Sequence, residues 1–350
     1  MGKHPWEGTE VLIIGGAGFV GGNLARMLLA SGDRLKITIV DNLLSAEKNN
    51  VPADRRVHFL PGSITSERIL AQITDRFQYV FHLATFHGNQ NSIYDPLADH
   101  ENNTLTTLKL MDHLKDFRQI RKLVYSSAGC ASAKKTFGRP KPTREDASIS
   151  LVQDSPYSIS KIIGEFYAMY FYRQYGLPAV RARFQNVYGP GEILGAGKWR
   201  GTAATVWRNV IPVFIYKALN RLPLPVENKG VATRDFIYVE DICRGLMACA
   251  LKGRPGEAYN LASGQQTRII DLARTINELT GNTTGLKFLP RRSWDNSGKR
   301  FGDTRKARAE IDFQATVDLR EGLQETIAWT RENLPLIDRC VNKHRKHMAL

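Results

Sequence analysis

The stretch Val11-Leu-Ile-Ile-Gly-Gly-Ala-Gly-Phe-Val-Gly21 runs an apolar segment of strand character straight into a glycine-rich turn, and the residues that follow continue with helical spacing. Gly15 or Gly16 permits a tight turn out of the strand, Gly18 lets the backbone approach a pyrophosphate closely, and Gly21 lets the next helix pack on a sheet. The N-terminus of that helix then faces the phosphates. A second apolar run, Lys36-Ile-Thr-Ile-Val-Asp41, ends in a carboxylate 20 residues after Gly21, where an acid binds the adenosine ribose hydroxyls. Together the two segments predict a dinucleotide site made by Gly15, Gly18, Phe19, Val20, Gly21, Asp41 and Asn42. The charge of Asp41 repels a 2′-phosphate and no Arg follows it at once, so NAD is favoured over NADP.

With 350 residues the chain can bury a full core, as one large domain or two interleaved ones. Its longest apolar stretch is the first strand and helix, broken by glycines, Asn23 and Arg26, which suits neither a bilayer span nor a signal peptide. A cytoplasmic location is expected. Cys130, Cys243, Cys249 and Cys340 show no CxxC spacing, so free thiols are expected, with no metal and no disulfide framework. The net charge of +15 points to anionic partners. It is concentrated at 134–144, 291–308 and 339–347, and none of these segments carries the interleaved aromatics of an RNA-binding sheet. An anionic cofactor and a nucleotide-linked substrate account for the central clusters, so neither nucleic acid nor membrane is expected as a partner.

Short β-rich runs at Val11–Ile14, Ile37–Val40, Val57–Leu60, Tyr79–Leu83, Leu123–Tyr125 and Ala179–Phe184 alternate with helical patterns at 19–30, 66–75, 99–114 and 156–175. Such alternation predicts an α/β fold with a doubly wound parallel sheet of Rossmann type. The expected division is a dinucleotide-binding domain over 1–188, with a strand returning near 257–262, and a smaller substrate domain over most of 189–350.

Tyr157-Ser-Ile-Ser-Lys161 opens a helix and sets a phenol and an ammonium four residues apart on one face. A nearby cation favours phenolate, so Tyr157 is a candidate base for a sugar hydroxyl and Lys161 its electrostatic partner. The motifs Gly15–Gly21, Asp41-Asn42, Phe81-His-Leu-Ala84, Asn103, Tyr157 with Lys161, Arg183-Phe-Gln-Asn-Val-Tyr-Gly-Pro190 and Arg234-Asp-Phe-Ile-Tyr-Val-Glu-Asp241 occur in order. With them the chain resembles the extended short-chain dehydrogenase/reductases, in the NAD-dependent epimerase and dehydratase branch that acts on nucleotide sugars. The resemblance spans residues 9 to 332. It implies that Leu83, Ala84, Ser63 and Ile64 line the cofactor, that Asn186 touches the phosphate or base region, and that Arg234, Arg292 and Arg300 hold a diphosphate. It also implies a homodimer through helices 99–114 and 156–175, and an ordering role for Asn103.

Departures from that pattern are informative. Ile14 stands where the family carries Thr, and Ser63 where an acid contacts adenine. In Tyr125-Ser-Ser-Ala-Gly-Cys-Ala-Ser132 the family's catalytic Ser or Thr falls on Ala128. Ser127 would replace it after a shift of one residue. Cys130 stands in the register where GDP-mannose 3,5-epimerases, which the chain partly resembles, carry a proton-transferring cysteine, and Lys198 is its candidate partner acid. The dehydratases of the family place an Asp-Glu pair at Gly129-Cys130, so the resemblance favours an epimerase working through a transient keto-sugar. The competing readings are a dehydratase, decarboxylase or net dehydrogenase of the same family, and a catalytically reduced NAD-binding or RNA-associated scaffold. Retention of Tyr157 with Lys161 speaks against the scaffold.

Overall fold

The computed structural model describes residues 5–133, 136–295 and 298–348, without the side chain of Cys130. Strands β1 (Glu10–Ile14), β2 (Lys36–Asp41), β3 (Val57–Pro61), β4 (Tyr79–His82), β5 (Lys122–Ala128) and β6 (Ala179–Phe184) share one sheet with a strand at Ala258–Leu261. All are parallel, and the order from one edge is Ala258–Leu261, β6, β5, β4, β1, β2, β3. Alternation within β1 explains why the sheet is covered on both sides. Val11 and Ile13 enter one core with helix α1 (Phe19–Ala30) and the helix Val239–Lys252, whereas Leu12 and Ile14 enter another with the helices Thr106–Leu114 and Pro156–Tyr175. A strand buried on both faces reads as a continuous apolar run, as β1 does from Val11 to Ile14.

A third apolar cluster lies beyond Tyr188, where the helices Val210–Leu219, Ile269–Thr280, Leu319–Glu332 and Leu334–Asn342 pack together. Among the described residues no helix is long and apolar enough to cross a membrane.

Three elements differ from their sequence-based expectation. The helix expected at 66–75 is only Glu67–Leu70, because Asp75 turns away and accepts the backbone N–H groups of Arg118 and Gln119 at 2.8 and 2.9 Å. The helix expected from Asp99 starts at Pro96, where the carboxylate of Asp95 caps Ala98 N, and it passes through a wider π turn at His100–Leu105 before Thr106–Leu114. Strand β5 runs on to Ala128 instead of ending at Tyr125, since Ser126, Ser127 and Ala128 keep pairing with Ala182, Arg183 and Phe184 of β6.

The helix Pro156–Tyr175 owes its start to Ser155, whose hydroxyl accepts Ser158 N, and to Pro156 in the first turn. Its inner face is tied to the sheet by a buried charge network. Glu165 accepts Arg183 Nε at 2.8 Å and Nη2 at 2.7 Å, Arg181 Nη1 at 3.2 Å, and the hydroxyl of Ser127 at 2.5 Å. Burial opposes ionisation of Glu165, but the two guanidiniums outweigh it and hold the carboxyl below the usual carboxylate range. Glu165→Ala removes one member of this pair and leaves the Arg183 charge buried without its partner, so it is expected to destabilise the fold by roughly 3–5 kcal/mol in urea unfolding. A loss below about 1 kcal/mol would show that the network adds nothing to stability.

Candidate active site

The C-terminal ends of the parallel strands open into a cleft of about 430 Å³. Its floor is the glycine turn. Gly15 has φ +83°, and a Cβ there would stand 2.5 Å from the backbone N of Ala84 at the end of β4, so the turn and that strand end touch through bare backbone. A Cβ on Gly21 would strike the Gly15 carbonyl, which fixes helix α1 close to the turn. Asp41 accepts the backbone N–H groups of Ala17 at 3.0 Å and Leu43 at 2.8 Å. Burial raises its carboxyl, and those amides draw it partly back. The backbone-lined floor fits a dinucleotide, and every residue expected to hold one lines the cleft: the turn with Phe19 and Val20, Asp41 and Asn42, Ser63 and Ile64, Leu83 and Ala84.

Tyr157 and Lys161 stand on the wall made by their helix. Tyr157 N donates to Ser92 Oγ at 3.1 Å. Lys161 is 3% exposed, its Nζ donates to the Ser126 carbonyl at 3.0 Å, and it lies 5.9 Å from the centre of the Tyr157 ring. The His87 ring meets the Tyr157 ring edge to face, 6.1 Å between centres. Asn103 ties these parts together. Its Oδ1 accepts Phe86 N at 2.7 Å, and its Nδ2 donates to Ser160 Oγ, one residue before Lys161, at 3.3 Å.

At the end of β5 two expectations change. Ser127 lines the cleft, but its only proton is committed to Glu165, so it does not stand in for a hydroxyl donor at position 128. Ala128 pairs with Phe184 of β6 and packs beside Tyr157. Cys130 has its backbone in the short helix Gly129–Ser132, and its side chain lies outside the described residues. Lys198 is a second correction. It does not line the cleft, because its backbone N–H is bound by the Leu44 carbonyl at 3.0 Å after the turns at Gly195 and Gly197.

Asn186, Arg234, Arg292 and Arg300 also line the cleft. Arg234 donates to the Gly298 carbonyl at 2.7 Å and pairs with Asp295 at 3.8 Å, and Arg292 pairs with Glu227 at 2.5 Å. The Nε of Arg300, a residue 8% exposed, has no acceptor among the described residues. Sequence reasoning passed over His87, Glu192 and Arg208, which also line the cleft. Only Glu165 had a legible signal, four residues beyond Lys161 on the same helix face.

A model of the NAD-dependent epimerase/dehydratase family matches residues 11–262. The chain belongs to that family. WbmF of Bordetella bronchiseptica, crystallised with NAD+ and UDP, is 58% identical over 98% of both chains, with a TM-score of 0.88. The epimerase Mth375 of Methanothermobacter thermautotrophicus is 39% identical over 96% of both chains, with a TM-score of 0.87. A trifunctional UDP-glucose 4,6-dehydratase/UDP-4-keto-6-deoxy-D-glucose 3,5-epimerase/UDP-4-keto-L-rhamnose-reductase of Arabidopsis thaliana is 28% identical over 95% of this chain, which spans about half (49%) of that relative's length. NAD is the cofactor of this family member, as the bound NAD+ and NADH of WbmF also indicate.

Glu192 sets a pH dependence of the ligand-free protein. It is 7% exposed, and burial pushes its carboxyl from the ordinary 4.5 up to about 7, against the opposing effects of the Asn209 amide and the Arg208 charge. The fold therefore favours the protonated acid. Its stabilising effect is complete below the unfolded value of 4.5 and is lost as pH rises toward 7, on the order of 3 kcal/mol. Thermal unfolding of Glu192→Gln should lack this fall in stability between pH 4.5 and 7, and an unchanged slope would assign it to other groups.

Proposed function

We propose that the chain is a nucleotide-sugar epimerase that works through a transient keto-sugar, with a UDP-linked sugar as substrate. The observation that carries the reading is a contrast within one cleft. Tyr157 and Lys161 line one cleft with the glycine turn and Asp41, whereas the end of β5 and the residues after it, Ser126 to Ala133, contain no carboxylate. Elimination of water needs an acid for the departing hydroxyl and a base for the carbon-bound proton. The other acids of the cleft lie away from that strand end in sequence: Asp41 accepts backbone amides, Asp295 lies near Arg234, and Glu192 accepts the Asn209 amide through Oε1. The UDP bound to WbmF supports the choice of nucleotide.

Tyr157 takes the proton of the sugar hydroxyl, and the charge of Lys161 beside its ring favours the phenolate form. The Ser126 carbonyl holds the Lys161 ammonium in place. A bound NAD would supply the reversible hydride acceptor for the carbon bearing that hydroxyl, with no net oxidation. Tyr157 gives the proton back as the hydroxyl re-forms. Asn186 and the guanidiniums of Arg234, Arg292 and Arg300 hold the nucleotide end, where forked donors suit phosphate oxygens. Cys130 is the proton carrier if inversion occurs beside the ketone.

Tyr157→Phe is expected to lower turnover by roughly 10²–10⁴-fold while NAD binding persists, because the phenol moves a proton and does not hold the cofactor. Near-normal activity in that variant would remove Tyr157 as the base. Arg234→Ala should weaken UDP binding by about 1.5–3 kcal/mol through loss of charge-assisted hydrogen bonds, and unchanged UDP affinity in calorimetry would take Arg234 out of the nucleotide wall. The overall reading is tested by NMR of UDP-sugars incubated with the protein in D2O. Inversion without carbon-bound deuterium marks inversion at the oxidised carbon. Deuterium that enters with the wild type and not with Cys130→Ser marks the neighbouring carbon and assigns the thiol, and formation of a 6-deoxy-4-keto product would overturn the epimerase reading.

A further inference from the structure

The walls near Tyr157 hold more positive charge than proton transfer and diphosphate binding use. Arg200 and Arg208 come from the segment between Tyr188 and the helix Val210–Leu219. Arg200 is 5% exposed. Its Nη1 donates to the His87 carbonyl at 2.8 Å and its guanidinium lies 5.5 Å from the centre of the Phe86 ring, while Nε and Nη2 have no acceptor among the described residues. Arg208 lines the cleft, with Nη1 and Nη2 on the carbonyls of Ser45 at 3.0 Å and Ala196 at 2.8 Å, and its Nε likewise has no acceptor. Both guanidiniums are thus held by neutral oxygens. The acids near Arg208 are Glu192, which burial keeps largely uncharged below neutral pH, and Glu47, which is already paired with Lys343. Burial pushes Arg208 down and Arg200 to about 9, and each of these shifts records a cation with too little compensation.

The position of the pair matters as much as its charge. Arg200 is bonded to the residue whose ring meets Tyr157. The His87 ring is kept neutral by burial and by the charges of Arg208, Arg200 and Lys161, so all three cations act on this ring. Thr202 donates to Asn91 Oδ1 at 2.6 Å, which holds the arginine-bearing segment against the loop after β4. A buried cation without an anionic partner is unfavourable and becomes favourable once an anion with hydrogen-bonding oxygens enters.

We propose that the sugar itself carries an acidic group, a carboxylate, and that Arg208, with Arg200 behind it, supplies the counter-charge. The inference rests on the nucleotide-sugar reading above and narrows it to nucleotide-linked uronic acids. The same anionic oxygens belong to the phosphates of the cofactor and of the nucleotide, so the test separates these sources. Calorimetry of the NAD-loaded protein with UDP, UDP-glucose and UDP-glucuronate should show UDP-glucuronate binding at least about tenfold tighter than UDP-glucose. In Arg208→Gln and Arg200→Gln that advantage should fall to within roughly twofold, with UDP affinity unchanged and Arg200→Lys keeping part of it. Equal binding of the two UDP-sugars by the wild type overturns the proposal without any variant having to fold. A loss shared equally by UDP and both UDP-sugars, or a loss of NAD affinity alone, overturns it in favour of a phosphate. Failure of the wild type to bind UDP at all would instead remove the nucleotide-sugar reading, and this inference with it.

Discussion

Lys161 and Glu165 lie one turn apart on one face of the helix Pro156–Tyr175 and reach two successive residues of β5, the Ser126 carbonyl and the Ser127 hydroxyl. A helix can slide or rotate on a sheet when apolar contacts alone hold it, because dispersion and burial are non-directional. Two directional bonds to adjacent strand residues remove that freedom. They fix where Tyr157, one turn before Lys161, stands relative to the strand ends. The carboxylate of Glu165 does this only while ionised, and Arg183 and Arg181 from β6 keep it so. The neighbouring strand thus sets the height of the candidate base above the cofactor floor.

A second set of links joins the two walls of the cleft. Glu47, just beyond the loop that follows Asp41, accepts Gly197 N at 3.1 Å and Lys343 Nζ at 2.5 Å, and the Gly195 carbonyl is bonded to His344 Nε2 at 2.9 Å. Cofactor loop, substrate segment and C-terminal helices are therefore one connected layer. Gly197 has φ +83°, and a Cβ there would run into the Leu44 carbonyl, so the close approach requires glycine. The same approach carries Lys198 away from the cleft and brings Arg208 to its wall, where it bonds the Ser45 carbonyl.

Much of the cofactor half was legible because its signals are local. A strand, a glycine turn and a carboxylate at a fixed interval follow one another in sequence, and the residues expected there all line the cleft. The parallel sheet followed from alternation, and the strand at Ala258–Leu261 appeared where a returning strand near 257–262 was expected, while the strand order came only with the structure. The shortfalls come from contacts that sequence spacing does not encode. The helix at 66–75 stops early because Asp75 bonds a turn more than 40 residues away. Glu192, His87 and Arg208 look like ordinary polar residues in a row of letters, and line the cleft, with Arg200 bonded to the His87 carbonyl, only when the segment after Tyr188 folds back over the residues after β4.

The absence of a hydroxyl at Ala128 has a consequence for the proposed proton transfer. A serine hydroxyl has one proton and two lone pairs, and an ionised carboxylate only accepts. With Glu165 ionised, the proton of Ser127 points at Glu165, and what Ser127 can still offer a sugar in the cleft is an acceptor. It can receive a hydrogen bond from a sugar hydroxyl, yet it cannot donate one to the oxygen that becomes a ketone. Donation toward that oxygen, and removal of its proton, then fall to the same phenol. Tyr157 must serve as base while the carbon is oxidised and as acid while it is reduced, so the Lys161 charge has to favour phenolate without making the phenol too weak a base to recover the proton. The Lys161 ammonium, bonded to the Ser126 carbonyl and 5.9 Å from the centre of the Tyr157 ring, supplies that charge.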